Sequence, residues 1–229
     1  MLVTARPPRW MAAVVAALGH QGEAIVANGA AVMNLQSNEV YQQRLIRAEQ
    51  LLAVAEVLRR EFPGVKLAVE SARGMSTEPD AWPRATDLPP LEVGVFEGLR
   101  AVTDGQAFKV LAHAEGHGGA DAMIARIAPL LSELVEPSHS GVNDSMLEFS
   151  PQGVSKASTL ERFAARRGIA ASEVIAFGDA PNDIPMLAWA GTSYAMGGGH
   201  RDAKAAATHV AKRSEEDGVA QILEEIFGL

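Results

Sequence analysis

Between positions 179 and 183 the chain places Asp179, Asn182 and Asp183 in the stretch GDAPNDIPML, directly after the apolar run VIAF. Two carboxylates and an amide oxygen on one short loop are hard donors. Mg²⁺ accepts such oxygens while keeping several of its waters. A lysine and a threonine hydroxyl brought to the same place would hold the oxygens of a phosphate. A metal with an ammonium group is what phosphoryl transfer asks for, because that reaction depends on positioning and charge neutralisation. Lys156, at the start of an amphipathic segment, and Thr4, near the amino terminus, are the candidates. Taken singly the signals are modest, since Asp, Pro and Asn also favour ordinary turns. Their weight comes from where the elements around them would put them.

Those elements alternate in the outer parts of the chain. LVTARP reads as a strand stopped by Pro7 and Pro8, and RWMAAVVAALG as a helix ending at Gly19. EAIVANGAAVM reads as a strand broken by the Asn28-Gly29 turn pair. In the last third, SKASTLERFAARRG is a helix, EVIAFGD a strand and DIPMLAWAG a short helix. TSYAM is a strand, DAKAAATHVA a helix followed by a short strand, and GVAQILEEIF a helix expected to bury Val219, Ile222, Leu223 and Ile226. Such alternation marks a parallel α/β layer, whose ligands bind at the carboxyl ends of the strands. Thr4, Lys156 and the Asp179 cluster would fall there.

The middle differs. RLIRAEQLLAVAEVLRREF is an amphipathic helix with Leu45, Leu52, Ala55, Leu58 and Phe62 on one face. VKLAVES, LEVGVF, AFKVLAHA and MLEFSP are short strands, and ADAMIARIAPLLSELV is a helix that Pro129 kinks or breaks. Residues 73–90 read as loop. The organisation is an α/β core from residues 1–33 and 150–229, interrupted by an α+β insert over 34–149.

Composition narrows the chemistry. The chain has 229 residues, no cysteine and a net charge of -8. Disulfides, zinc thiolates and cysteine nucleophiles are excluded, and the acidic balance argues against nucleic acid as a partner. No apolar run approaches the roughly 20 residues of a membrane span, and no secretory signal opens the chain. A cytoplasmic protein is the expectation. His113 and His117 are spaced as two ligands on a helix would be, but the glycines around them favour a loop. Gly197–Gly199 reads as a plain turn.

The motifs together resemble the haloacid dehalogenase (HAD) superfamily, in its Cof-type, subfamily IIB branch. GDAPNDIPML is similar to motif IV, GDxxND. PQGVSKASTLERFAARRGI is similar to the segment carrying the motif III lysine, and LVTARP to the strand ending in the motif II threonine. VANGA and AMGGGHRDAKAAATHVAKRSEEDGVAQIL match further segments of that branch. The resemblance implies a HAD-like Rossmannoid parallel sheet with an inserted cap domain of the C2B type. It implies a Mg²⁺-dependent phosphatase acting on a small phosphorylated metabolite. Carried over residue by residue, Thr4 and Lys156 are catalytic phosphate ligands. Asp179, Asp183 and Asn182 serve the metal, and Arg6, Asn28 and Asn182 the substrate.

The superfamily's motif I supplies a nucleophilic aspartate and a second, acid/base aspartate. No Asp-x-Asp occurs in this sequence, and its first aspartate is Asp80. The first core strand is therefore expected to be missing from the chain as given, and the chain to have little or no phosphatase activity. Two readings stay open: a phosphatase represented without its amino-terminal strand, or a non-catalytic protein that binds phosphorylated ligands or a partner on the same scaffold. In either, the strand ending at Thr4 and the strand VIAF lose a neighbour. Direct pairing of the two, or pairing with another chain, would fill the gap. The sequence does not fix the oligomeric state.

Overall fold

The computed structural model describes residues 1–19, 21–78, 94–95, 106–141 and 145–228. They form two compact units, Met1–Ser155 and Lys156–Leu229. In the first unit, β1 (Leu2–Val3) lies parallel to β2 (Glu23–Val26), and α1 (Met11–Leu18) makes the crossover that a parallel pair requires. The Asn28-Gly29 turn then reverses the chain into β3 (Ala31–Asn34), and β4 (Glu39–Gln43) completes a sheet of order β1-β2-β3-β4. Ala24, Val26, Ala31 and Met33 bury one face of this sheet with Met11 of α1.

The same unit continues through β5 (Ile46–Arg47), α2 (Ala48–Glu61), β6 (Lys66–Ser71), β7 (Gly74–Thr77) and β8 (Gly94–Val95). It ends with β9 (Gln106–Ala107), β10 (Lys109–His113), α3 (Ala120–Leu131), β11 (Val135–Ser138) and β12 (Met146–Pro151). Six of these strands form a second sheet, of order β11-β12-β10-β6-β7-β8. Its period-two alternation separates two faces. Leu67, Val69, Val110, Ala112, Leu147 and Phe149 meet Leu51, Val54 and Leu58 of α2 and Met123, Ile127 and Leu131 of α3. Each large side chain so buried contributes roughly 1.5–3 kcal/mol. The opposite face carries Ala68, Met75 and Leu111, together with buried Glu70, Lys109 and Glu148.

Several local expectations shift here. α2 begins at Ala48 and buries Leu51, Val54, Ala55 and Leu58, while Leu45 packs on the first sheet instead. Part of the expected loop, Gly74–Thr77, is strand β7, drawn into the sheet by its ladder to β6. Residues 79–90 lie outside the described ones, and only Gly94–Val95 of the segment LEVGVF is described. Pro129 does not break α3, which continues through it to Leu131.

The second unit is α4 (Lys156–Arg166), β13 (Ile175–Gly178), α5 (Ile184–Trp189), β14 (Thr192–Met196), α6 (Arg201–Ala206), β15 (His209–Ala211) and α7 (Gly218–Phe227). Its sheet is fully parallel, of order β13-β14-β15. α7 does not bury the face expected of it. Val219 and Ile226 are exposed and Ile222 and Leu223 only half-buried, because the helix reaches little beyond β15 and the turn before it. The boundary between the two units falls at Ser155/Lys156. Among the described residues β1 is an edge strand of the four-stranded sheet of the first unit, and β13 is an edge strand of the sheet of the second.

Candidate functional site

In the second unit, β13 delivers the chain to Gly178 and a turn closes over it at Pro181–Asp183. Asp183 organises that turn. Its Oδ2 accepts the backbone N–H groups of Asp179 and Ala180, both at 3.1 Å. Its Oδ1 accepts from Lys156 Nζ at 2.6 Å, and Asn182 Oδ1 accepts from the same ammonium at 3.0 Å. Gly178 is required by this packing, since a Cβ there would lie 2.6 Å from the Asp183 Cβ. Gly199 is required for a similar reason. Its Cβ would lie 2.7 Å from the Asp179 carbonyl oxygen, which accepts from His200 N–H at 2.7 Å.

The structure thus brings together Lys156, Asn182, Asp183 and the backbone of Asp179. Lys156, Asn182 and Asp183 are buried, while Asp179 is exposed at the end of β13 with no side-chain bond among the described residues. Taking an ammonium and a carboxylate out of water costs several kcal/mol per ion, which only close pairing and further hydrogen bonds offset. Asp183 has both. The donor set is all oxygen, which suits Mg²⁺ held by one or two carboxylates with waters and a phosphate completing its shell. Asp179 is the carboxylate left open beside Asp183. No three His, Asp or Glu side chains cluster tightly enough among the described residues to hold a metal alone.

In the first unit, Thr4, Arg6 and Asn28 are knitted by backbone bonds. Thr4 N–H donates to the Ile25 carbonyl at 2.9 Å, Asn28 N–H to the Thr4 carbonyl at 3.1 Å, and Ala27 N–H to the Arg6 carbonyl at 2.8 Å. Arg6 N–H donates to Thr4 Oγ1 at 3.1 Å, which leaves the hydroxyl proton available. Arg6 is exposed. Asn28 is 2% exposed and sits in the left-handed region at φ 57°, where asparagine is one of the tolerated residues. Its Nδ2 donates to Glu148 Oε2 at 2.8 Å, so this amide supports the turn from within.

Three residues that the sequence reading did not single out join this region. Lys109 Nζ donates to Glu148 Oε2 at 2.7 Å and to the Ala5 carbonyl at 3.0 Å. Glu70 receives both Arg9 Nε and Nη2 at 2.8 Å. The only sequence signal was a charge inside an apolar strand, alone in AFKVLAHA and MLEFSP and with Lys66 near the start of VKLAVES. Arg9 and Glu70 border a cavity of about 580 Å³ whose other walls include Trp10, Asn38, Gln43 and Phe108. Ligand pockets fall in this size range. The Trp10 indole Nε1 is buried without a hydrogen-bond partner. His113 ends β10, and His117 lies beyond it with its ring edge-on to Phe62.

The family model described as haloacid dehalogenase-like hydrolase matches residues 1–223. The chain is 39% identical over 84 residues to the 5-amino-6-(5-phospho-D-ribitylamino)uracil phosphatase YitU of Bacillus subtilis (strain 168), covering 37% of this chain and 31% of that protein. It spans about a third of the length of such curated relatives. In structure it is similar to SMU.1108c of Streptococcus mutans UA159, with a TM-score of 0.82 at 18% identity, over 99% of this chain and 85% of the other. It is also similar to the HAD subclass IIB sugar phosphatase BT4131, with a TM-score of 0.77 at 20% identity, over 99% and 84% of the two chains. At those identities the structural likeness speaks for the fold. Among the described residues no helix is long and apolar enough to cross a membrane.

Proposed function

Since the chain belongs to the haloacid dehalogenase-like hydrolase family, we propose that it is a phosphatase-type protein for a small phosphorylated metabolite, such as a sugar phosphate, working with Mg²⁺. The observation that carries this reading is the Lys156 ammonium held by Asp183 and Asn182 at the end of a parallel strand, with Asp179 open beside it. Asp183 fixes the lysine and the turn. Lys156 offers positive charge to phosphate oxygens, and the Thr4 hydroxyl, its oxygen engaged by Arg6 N–H, offers a proton to one. Asp179 would hold the metal, with Asp183 and Asn182 behind it. When bound, Mg²⁺ supplies charge neutralisation on the phosphoryl group. We also keep residues 1–33 and 150–229 together as one functional core, with 34–149 as its cap.

One observation favours a second reading of the chain's own chemistry. The 229 residues hold no Asp-x-Asp pair, so no carboxylate of this chain is assigned to attack on phosphorus. The residues present bind phosphate and metal, and turnover by them is expected to be slight. Calorimetric titration of the chain with Mg²⁺, with and without a phosphorylated sugar, tests this together with a phosphate-release assay. Expected are Mg²⁺ binding that Asp179→Ala abolishes, and little or no phosphate release. A chain that binds neither Mg²⁺ nor the ester would sink the reading. Release that Asp179→Ala removes would show that another group performs the attack.

A further inference from the structure

Lys109 is buried, 39 residues from Glu148 in sequence, and does something no apolar residue could. A buried lysine–glutamate pair is not needed for stability, because apolar side chains of similar volume often serve as well. Its particular effect here is on the backbone after β1. Three consecutive carbonyls there are each held by a donor of the same unit: Thr4 by Asn28 N–H, Ala5 by Lys109 Nζ, and Arg6 by Ala27 N–H. In a planar trans peptide the C=O and N–H point in opposite directions. With the Thr4 carbonyl turned to Asn28, the Ala5 N–H points the other way, and it has no hydrogen-bond partner among the described residues. The segment therefore presents donors, the Ala5 N–H and the Thr4 hydroxyl, and withdraws the oxygens that would repel an anion.

We propose that Lys109 is a positioning residue that keeps residues 4–6 in this anion-receiving conformation by holding the Ala5 carbonyl. Glu148 keeps the ammonium in place, and Asn28 ties Glu148 to the turn that receives the Thr4 carbonyl. The inference rests on the reading of Thr4 as a phosphate ligand. Neither Lys109 nor Glu148 touches the anion. Once Lys109 is shortened or neutralised, the Ala5 carbonyl loses its donor and the 5–6 peptide can rotate, turning an acceptor toward the site.

The test is a titration of the ¹⁵N-labelled full chain with inorganic phosphate, following the amides of Ala5 and Arg6. In the wild type the Ala5 amide is expected to shift saturably. In Lys109→Met/Glu148→Gln, which removes both charges and keeps an acceptor for Asn28, the dissociation constant is expected to rise about tenfold, the worth of one charge-assisted hydrogen bond. Mg²⁺ affinity at Asp179 should stay unchanged, which a general loss of structure would not allow. An unaltered phosphate affinity in the double variant would overturn the positioning role and leave the phosphate reading intact. No response of Ala5 in the wild type would overturn both. Should the double variant fail to fold, Lys109→Gln/Glu148→Gln decides: its amides still satisfy one another and Asn28 but do not reach Ala5, so the same tenfold loss is expected, and wild-type affinity would refute the proposal.

Discussion

Each unit buries a lysine against a carboxylate, and the two pairs are nearly matched in geometry. Lys156–Asp183 spans 2.6 Å with side chains 8% and 6% exposed, and Lys109–Glu148 spans 2.7 Å with side chains 7% and 6% exposed. They differ in what the carboxylate does with its remaining capacity. Asp183 binds two backbone N–H groups of its own turn, within four residues. Glu148 binds the amide of Asn28, 120 residues away. The first pair makes a local turn rigid, whereas the second pins a strand of the six-stranded sheet to the loop after β1. Equal burial thus serves a local end in one unit and a long-range one in the other.

The largest expected effect follows from that difference. Asp183→Ala leaves a buried ammonium with only the Asn182 oxygen and strips two backbone N–H groups of their acceptor, and it should cost about 3–5 kcal/mol, the usual result of removing one partner of a buried pair. Glu148→Ala leaves Lys109 still bonded to the Ala5 carbonyl, so its cost should fall at the lower end of that range. Hydrogen exchange separates them. Asp183→Ala should release the amides of β13 and β14, and Glu148→Ala those of β10 and β12. Equal and global loss of protection in both variants would break the distinction between a local and a long-range pair.

This contrast also explains what the sequence disclosed. Asp179, Asn182 and Asp183 were legible because turn chemistry is written in adjacent residues, and Lys156 because its segment resembles a known one. Lys109 and Glu148 were not. A lone charge in an apolar strand is also what a solvent-facing position looks like, and only the tertiary register shows that this face is covered. β7 was hidden for a related reason: Gly74, Ser76 and Thr77 have the composition of a loop, and pairing with β6 makes them a strand. α7 erred in the opposite direction, because apolar spacing reports a capacity for burial, and the structure does not cover the residues that have it.

A smaller effect is expected where the Asp183 turn meets its glycines. Gly178→Ala pushes a methyl against the Asp183 Cβ and Cγ, at 2.6 and 2.9 Å, and Gly199→Ala pushes one against the Asp179 backbone at 2.7 Å. Overpacking of this kind costs roughly 1–3 kcal/mol. The two sites should differ, because Asp183 is a side chain that could rotate only by abandoning Lys156, while the Asp179 backbone shifts the carboxylate offered to the metal. Gly199→Ala is therefore expected to weaken Mg²⁺ binding with Lys156 still paired, and Gly178→Ala to disturb the lysine. Chemical-shift changes at Lys156 Nζ that are the same in both variants would show that the turn moves as one block, and the distinction would fall.

The smallest effect comes from a half-buried carboxylate whose two arginine partners are exposed. Glu61 at the end of α2 accepts from Arg60 Nε at 3.0 Å and from Arg126 Nε and Nη2 at 3.1 and 2.9 Å. These guanidiniums, Arg60 first and Arg126 next, hold its carboxyl below the usual value for glutamate. A carboxyl whose folded-state pKa is depressed adds stability above its unfolded-state pKa and loses it as pH falls through the folded-state value. Any contribution therefore belongs to the neutral range and disappears in acid. Solvent screens such a pair heavily, so neither Arg60→Gln nor Arg126→Gln should move the unfolding midpoint measurably at neutral pH. The Glu61 carboxyl titration, followed by ¹³C NMR, should nevertheless shift upward in both, and more in Arg60→Gln. A larger shift on removing Arg126 would reverse the order of the two causes. A clear loss of stability at neutral pH in either variant would mean that the exposure of its arginine partners does not separate this carboxylate from Asp183 and Glu148 as argued.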